Sequence, residues 1–265
     1  MSVTFTVLIP ITRPPVFLPL AVDSLQRQTR QDWELFIICD GPPRETVEWV
    51  KSAAADDPRI TVFDCPKGER NGEEHRHAAL QQAKGSYAAH LADDNLWFPD
   101  HLKRIEEVLS NADLGGTLFV AVRPNGRLAV RDFLALTQSA YRLDSYRSLP
   151  VGWSPAPRTG PSDQYMFDKF RAQPDMREAR LSRMTAVHLG ADLRREMPLN
   201  DRLVEMQRWS RRVQNPLWRM SLRVASRTLF EVLSMRARWI SVKVRVYRLL
   251  QRLHVPSRWL ARGNK

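Results

Sequence analysis

The sequence predicts an α/β fold with a mostly parallel sheet flanked by helices, followed by a basic helical extension. Short β-rich runs alternate with helical segments over the first hundred or so residues, which indicates the sheet. The composition, with 43% hydrophobic and 26% charged residues, indicates a globular rather than a disordered chain. Strands that alternate with helices of about ten residues form βαβ units, in which neighbouring strands run parallel. The third observation is the concentration of positive charge after residue 201. A chain of 265 residues can form one sizeable domain with such an extension.

The predicted strands of the first half are short apolar runs closed by proline, glycine or polar residues. They cover residues 4–9, 34–39, 60–63 and 87–91. The predicted helices cover residues 19–28, 45–55, 73–84 and 99–110. Gly85 just after the third helix and Pro99 at the start of the fourth are typical helix boundaries.

The alternation weakens beyond residue 110. Residues 116–122 and 127–130, joined by a Pro-Asn-Gly turn, predict a hairpin. Residues 144–149 and 163–170 have helical patterns. We therefore predict one domain over residues 1–201 and a helical extension over residues 202–265.

Polar side chains follow three predicted strands at the point where each strand ends. Thr12 and Arg13 follow the first strand, Asp40 the second, and Asp93 and Asp94 the fourth. Ligands of open α/β sheets bind beyond the carboxyl ends of the strands. The adjacent carboxylates therefore lie at the predicted binding edge, where a ligand or cation would offset their mutual repulsion.

Five segments in order resemble the large inverting nucleotide-sugar glycosyltransferase family 2, which has the GT-A fold. They read PITRP, ELFIICDG, ADDPRITVF, EEHRHAALQQAKGSY and HLADDNLWFPDHL. The match is close over about the first 110 residues and looser to about Trp209. The order and spacing of five markers are specific, whereas each marker alone is weak. The resemblance implies transfer of a sugar from a nucleotide diphosphate donor to an acceptor hydroxyl with inversion.

The same resemblance implies which residues bind the donor. Pro10 and Thr12 match the loop that lies against the base, and Asp40 matches the acid that recognises the nucleoside. Arg76 matches a basic residue that faces the diphosphate, and Asp93 is a further donor-binding candidate. The structural alternatives are a turn residue for Asp40 and a solvated helix face for Arg76.

The resemblance further implies Mn²⁺ or Mg²⁺, because hard oxygen ligands suit these ions and a cation neutralises the departing diphosphate. Asp94 is the first candidate ligand, Asp93 the second, and His188 a further ligand. The alternatives are an N-cap for the helix that begins at Pro99 and a structural histidine. Ala92 stands where the family usually carries its first acid, which is a departure from the pattern.

The catalytic base implied by the resemblance is Asp163, in the segment GPSDQYMFDKF. Such a base takes the proton of the acceptor hydroxyl. Its alternative is an N-cap of the helix that follows, and Ser162 replaces the acid that usually precedes it. Trp153 matches an acceptor-site stretch, or is a buried core residue. Two rival functions stay open: a catalytically impaired nucleotide-sugar-binding or partner-binding relative, and a nucleotidyltransferase, which the lack of a glycine-rich phosphate loop disfavours.

The extension carries the excess charge of the chain. Residues 202–265 contain 16 Lys and Arg and two acids, net +14, while residues 1–201 have a net charge of −2. Apolar and basic residues alternate with helical spacing, which predicts a basic amphipathic segment over residues 215–262. We weigh an anionic membrane surface and packing on protein as equal interpretations, with nucleic acid the least favoured. The acceptor is open between a glycan, a lipid-linked molecule and a small molecule.

The remaining composition bears on location. Two cysteines cannot build a disulfide framework, and the proline-rich N-terminus lacks the basic leader of a signal peptide. No apolar run reaches the length of a membrane span. We therefore expect a cytoplasmic protein, with peripheral membrane association as the alternative that the extension raises.

Overall fold

The structure is a computed structural model that describes residues 3–158, 160–225 and 228. The chain divides into two compact units, residues 1–220 and 221–265. Most of the predicted amphipathic segment 215–262 lies outside the described residues, and the predicted boundary after residue 201 stays a prediction. Within the described residues, no helix has the length and apolar character that a membrane crossing requires.

The first unit contains nine strands and seven α-helices in its described residues. The strands are β1 Phe5–Ile11, β2 Trp33–Asp40, β3 Ile60–Cys65, β4 Tyr87–His90, β5 Asn95–Trp97, β6 Leu114–Val122, β7 Leu128–Arg131, β8 Ser139–Arg142 and β9 Glu178–His188. The helices are α1 Leu18–Gln26, α2 Arg44–Asp56, α3 Glu73–Gln81, α4 His101–Leu109, α5 Leu143–Arg147, α6 Ser162–Arg171 and α7 Leu199–Gln214. Two single 3₁₀ turns cover Leu136–Gln138 and Ala191–Arg194.

The strands form one sheet in the order β3-β2-β1-β4-β8-β6-β9-β5, with β7 added on β6. The first four strands in this order are parallel, as the βαβ alternation predicts. The second half is mixed: β8 pairs antiparallel with β4 and β6, β9 runs parallel to β6, and β5 runs antiparallel to β9. This α/β architecture confirms the predicted fold class.

The central strands owe their position to their composition. All eight residues of β2 are buried, and six of the seven residues of β1 are buried. Such continuous apolar runs are typical of strands covered by helices on both faces. The buried cluster on one side of the sheet is built around Phe36, Tyr141 and Phe167. Because burial on both faces fixes these strands, their carboxyl ends form a rigid edge.

Helix α7 belongs to the first compact unit, although its sequence opens the basic extension. It packs against α1 and β5, and Met206, Trp209 and Val213 bury its apolar face. Arg194 anchors it: this arginine is 1% exposed in its side chain and forms a two-point ion pair with Glu205, at 2.6 and 2.8 Å. Helix α7 therefore holds its polar residues at defined positions beside the sheet.

Candidate active site

Asp40, the last residue of β2, is fully buried at the edge of the sheet. Its Oδ2 accepts a hydrogen bond from Lys67 Nζ at 2.6 Å, and its Oδ1 accepts one from the Gly68 amide at 2.5 Å. Gly72 has φ +69°, and a Cβ there would lie 2.9 Å from the Asp40 carboxylate. Glycine is required at this close approach, and Asp40 holds the loop before α3 against the sheet.

Arg13, directly beyond β1, contacts both adjacent acids. Its Nε donates to Asp93 Oδ2 and its Nη2 to Asp93 Oδ1, both at 2.7 Å. The same Nη2 lies 2.8 Å from Asp94 Oδ2. Burial lowers the pKa of Arg13, but hydrogen bonds and charges from Asp93 and Asp94 outweigh this effect and raise it above its ordinary value. This guanidinium therefore offsets the electrostatic repulsion between the two adjacent acids.

A second arginine reaches the acids from α7. Arg202 Nη2 lies 3.6 Å from Asp94 Oδ2, and its side chain is 15% exposed. The guanidinium groups of Arg13 and Arg202 both lie near the ring of Phe17, at 5.4 and 4.8 Å from its centroid. Phe17 is itself 2% exposed. The ring therefore supports both cations through cation–π contact on one side while the acids neutralise them on the other.

Arg76, on α3, is 4% exposed, so it does not lie on a solvated helix face. Its Nη2 donates to the Asn71 carbonyl at 2.7 Å, but Nε and Nη1 are buried and have no hydrogen-bond partner among the described residues. The guanidinium lies 4.8 Å from the centroid of the Trp153 ring. Burial lowers the pKa of Arg76, opposed by the charges of Glu73, Asp40 and Asp163, among others. The two unused nitrogens leave Arg76 with the capacity to hydrogen-bond an anion.

The wall beside Arg76 is aromatic and uncharged. Trp153 is buried, as one of its two interpretations predicted, and its Nε1 donates to the Tyr141 hydroxyl at 2.9 Å. The same hydroxyl lies 2.9 Å from His90 Nε2. Burial, and then the charge of Arg76, hold the pKa of His90 well below its ordinary value, so this imidazole is neutral. Arg76 thus lies beside buried, uncharged side chains, and the low local dielectric constant strengthens the attraction of its guanidinium for an anion.

Asp163 lies in the first turn of α6, and its charge acts on Arg76. Its Oδ2 accepts from the Leu136 amide at 3.1 Å and its Oδ1 from the Gln164 amide at 2.8 Å. Burial raises the pKa of Asp163, partly offset by these hydrogen bonds and by Arg76. No side-chain cap bond is found for α6, so the simple N-cap interpretation does not describe this carboxylate.

One short turn connects the acidic loop with Asp163. Thr137, next to Leu136, receives hydrogen bonds on Oγ1 from the Ala92 amide at 3.3 Å and from Asn95 Nδ2 at 3.0 Å. The Trp97 indole donates to the Thr137 carbonyl at 2.6 Å. Because Leu136 bonds Asp163, the turn brings the predicted base and the paired acids to the same region.

The other predicted site residues lie at the same edge. Pro10 is half-buried near the end of β1, and Thr12 is exposed just beyond it. His188 ends β9 opposite Asn95 of β5 and stacks on Phe119, with ring centroids 4.0 Å apart. Burial lowers the pKa of His188 to about 3, and its Nε2 has no hydrogen-bond partner in the described part of the chain.

A divalent cation does not fit the described geometry at Asp93 and Asp94. Cations of this kind need several free oxygen ligands, and three of the four oxygens of this pair contact Arg13. The cavity beside Asp94 and Arg202 measures about 10 Å³, room for about one water. No group of three or more His, Cys, Asp or Glu that could hold a metal is found in the described residues. His188 and Asp94 therefore stay individual predictions, not a metal centre.

Sequence reasoning did not place Arg13 and Arg202 beside the paired acids, where the structure has them. Arg13 was visible as a polar residue after the first strand, but its partners are 80 and 81 positions away, and no local pattern encodes that distance. Arg202 was assigned to the basic extension by its charge. The only signal in the sequence is the matching charge: two arginines in distant segments equal the two adjacent acids in number.

The chain is thus an α/β protein with charged side chains at the carboxyl edge of its sheet, where ligands of such sheets bind. The chain belongs to glycosyl transferase family 2, whose model matches residues 6–145, slightly more than half of the chain. This confirms the resemblance given by the sequence segments. Glycosyl transfer is the general activity of this family.

Curated relatives and solved structures agree with this assignment. The chain is 29% identical over 110 residues to the succinoglycan biosynthesis protein ExoW of Rhizobium meliloti, covering 41% of this chain and 34% of ExoW. It is similar in fold to residues 1–349 of TarS from S. aureus, with a TM-score of 0.59, 18% identity, and coverage of 69% of this chain and 60% of that one. The chain thus spans about a third of that curated relative.

A second structural neighbour is the mannosyltransferase PcManGT from Pyrobaculum calidifontis, in complex with GDP-Man and Mn²⁺. Its TM-score is 0.51 at 17% identity, with coverage of 69% of this chain and 56% of that one. TarS has been solved with UDP and with UDP-GlcNAc. At sequence identities this low, the structural matches establish a common fold and nothing further. Divalent metals are common in GT-A glycosyltransferases, and the Mn²⁺ of PcManGT belongs to that protein.

Proposed function

We propose that this protein transfers a sugar from a nucleotide diphosphate donor to an acceptor hydroxyl with inversion. The observation that carries the proposal is Arg76, a buried guanidinium with two unused nitrogens at the carboxyl edge of a GT-A sheet. A diphosphate is the anion that its position suits. The neighbours in complex with UDP-GlcNAc and GDP-Man support a sugar nucleotide as donor.

Donor binding is assigned to residues at the strand ends. Arg76 donates Nε and Nη1 to the diphosphate, where charge develops as the sugar bond breaks. Pro10 and Thr12 line the base side, and Asp40 serves the nucleoside through the loop that it holds. In this assignment Asp93 acts through Arg13, its ion-pair partner.

Asp163 is the proposed base. It removes the proton of the acceptor hydroxyl while the oxygen forms a bond to the anomeric carbon and the bond to the diphosphate breaks. The nucleoside diphosphate leaves with the electron pair, and attack from the opposite face inverts the anomeric centre. The raised pKa of Asp163, caused first by burial, brings it closer to the pH at which a base operates.

The predicted Mn²⁺ or Mg²⁺ at Asp94 and His188 is not used in this mechanism. The contacts of Arg13 with both acids favour a site that is already neutralised. A metal bound there would supply Lewis-acid stabilisation of the leaving group.

The rival function is a nucleotide-sugar-binding relative with impaired catalysis. Ala92 at the position of the usual first acid and Ser162 before the base favour it. Both alternatives predict donor binding, and they differ in turnover.

The test is a panel of UDP- and GDP-sugars with a broad set of hydroxyl acceptors, measured by release of nucleoside diphosphate. Asp163→Asn should lower kcat by about 10²–10⁴-fold with the donor KM unchanged, because a general base contributes on that scale. ¹H NMR of the product should show the inverted anomer. Donor binding without release of nucleoside diphosphate by the wild-type protein would favour the rival, and retention of configuration would exclude Asp163 as the base of a single displacement.

We further propose that residues 215–262 attach the protein to an anionic membrane surface, which would suit a lipid-linked acceptor. The apolar and basic pattern of the sequence supports this, and Leu217 and Met220 are 69% and 59% exposed. Cosedimentation with anionic and neutral liposomes tests it. Binding to neither at low salt would leave packing on protein as the account of this segment.

A further inference from the structure

The guanidinium of Arg13 occupies the space between two acids that the family resemblance assigns to a cation. One group, through Nε and Nη2, contacts three of the four carboxylate oxygens of Asp93 and Asp94. Its third nitrogen, Nη1, takes no part in these bonds, and the Arg13 side chain is 31% exposed. Arg13 therefore neutralises the acids and keeps one donor nitrogen for a ligand.

The position of Arg13 is built into the fold. The Phe17 ring lies under both Arg13 and Arg202. Helix α7, which carries Arg202, is fixed by the buried ion pair of Arg194 and Glu205. Two separate elements, the loop after β1 and helix α7, thus bring cations to the same two acids.

The charges of this cluster balance. Asp93 and Asp94 contribute two negative charges, and Arg13 and Arg202 contribute two positive charges. A divalent cation entering here must compete with two guanidinium groups for the same oxygens and is repelled by both. Desolvation strengthens this repulsion, because both acid side chains are only 10% exposed.

We propose that Arg13, supported by Arg202, replaces the divalent cation of the donor site, so that this protein binds its nucleotide diphosphate without metal. The role of Nη1 toward the diphosphate rests on the function proposed above. The exclusion of metal by Arg13 does not depend on that function, and the two are tested in separate arms.

The first arm measures Mn²⁺ alone with the full chain, by electron paramagnetic resonance of free Mn²⁺ and by calorimetry. The wild type should bind no Mn²⁺ at this site. Arg13→Gln should show saturable Mn²⁺ binding, with an affinity at least about tenfold above the limit set by the wild-type titration, because one positive charge leaves a partly buried site. Adding Asp94→Asn to Arg13→Gln should abolish the gain.

The matched control is Arg27→Gln. Arg27 also makes a two-point contact with an aspartate, Asp23, with both distances 2.9 Å, but on the exposed side of α1. This variant should bind Mn²⁺ no better than the wild type. If Arg13→Gln does not fold, Arg202→Gln relieves Asp94 of one cation and should give a smaller gain. Wild-type Mn²⁺ binding that Asp94→Asn removes and that neither arginine variant changes would overturn the proposal.

The second arm measures UDP and GDP binding by calorimetry in EDTA and in MnCl₂. For the nucleotide that binds, the wild-type affinity should be equal in the two buffers, and Arg13→Gln should bind weakly in EDTA and recover in MnCl₂. Wild-type binding that EDTA abolishes contradicts the proposal. Failure of both nucleotides to bind in either buffer counts against the proposed function, and a Mn²⁺ gain in the first arm would still support exclusion of metal by Arg13.

Discussion

Arg13 and Arg76 lie at the same edge of the sheet in opposite electrostatic states. Arg13 is 31% exposed in its side chain and paired with two carboxylates, which raise its pKa in spite of burial. Arg76 is 4% exposed, hydrogen-bonds one backbone carbonyl, and has a pKa that burial lowers. Arg13 is bonded to carboxylate counter-charges, whereas the hydrogen bond of Arg76 is to a neutral carbonyl and leaves two buried nitrogens unused.

This difference suits the two arginines to different roles, stabilisation of the fold and binding of an anion. An arginine paired with carboxylates stabilises the folded chain, whereas a buried arginine without such partners costs free energy until an anion binds. Destabilised groups of this kind collect at functional sites. Substitution of Arg76 should therefore weaken ligand binding without loss of stability, whereas substitution of Arg13 should lower the free energy of unfolding as well.

Of the changes that bear on this comparison, Arg76→Met should have the largest effect. Loss of its charge-assisted hydrogen bonds should weaken binding of the preferred nucleoside diphosphate by about 100-fold, close to 3 kcal/mol. The free energy of unfolding should not fall, because an apolar side chain of similar length removes a buried unpaired charge. Calorimetry and urea unfolding measure the two quantities. A marked loss of stability with unchanged nucleotide affinity would reverse the roles of the two arginines.

A smaller effect is expected for the pair of Arg13 and Asp93. A double-mutant cycle with Arg13→Gln and Asp93→Asn should give a coupling free energy of about 1–3 kcal/mol, since the pair is partly buried and two-pronged. The exposed pair of Arg27 and Asp23, with side chains 54% and 33% exposed, is the matched comparison and should couple by about 0.5 kcal/mol. Urea unfolding of the seven proteins, the wild type being common to both cycles, measures both values. Equal coupling free energies in the two cycles would show that the Arg13–Asp93 pair contributes no more to stability than an exposed ion pair.

The smallest effect concerns pH. Asp163 must be ionised to act as a base, so the raised pKa that burial causes moves the acidic limb of kcat to higher pH. Arg76 opposes this shift, so Arg76→Met should move the limb further toward higher pH. Arg13→Gln should leave it in place, because Arg13 is not among the groups that shift the pKa of Asp163. The pH profile of kcat checks this, and ¹³C NMR of the Asp163 carboxyl provides a readout without turnover.

The sequence predicted the first half of the fold because its signals are local. Each strand of the parallel half is an apolar run, and each helix has amphipathic spacing, so the structure differs by few residues at most ends. The hairpin of β6 and β7 was also visible from its turn residues. Patterns of this kind depend on neighbours in the chain and survive without tertiary information.

The missed strands lack such signals. β5 has three residues and β8 has four, too few for a period to register. The first half of β9 alternates apolar with charged residues and is partly exposed, and its pairing with β6 is irregular near Leu118. These segments become strands because other strands supply backbone hydrogen-bond partners: β8 pairs with β4 and β6, and β9 pairs with β6 and β5. The cause is therefore tertiary structure and not local sequence.

The candidate site divides in the same way. Strand ends indicated where Asp40, Asp93 and Asp94 would lie, because topology alone brings the ends together. The burial of Arg76 against Trp153 depends on a residue 77 positions away, and the capture of both acids by Arg13 is equally distant. Ion pairing across a fold is set by packing, and the sequence contains the partners without their pairing.

The turn at residues 136–138 has a consequence for the order of events in a reaction cycle. Leu136 holds Asp163 through its amide, and its neighbour Thr137 holds the acidic loop through its hydroxyl. Two successive residues thus connect the proposed base with the loop that carries the paired acids. In the proposed mechanism, we expect a donor that shifts this loop to shift Asp163 as well, which would link donor binding to the position of the base.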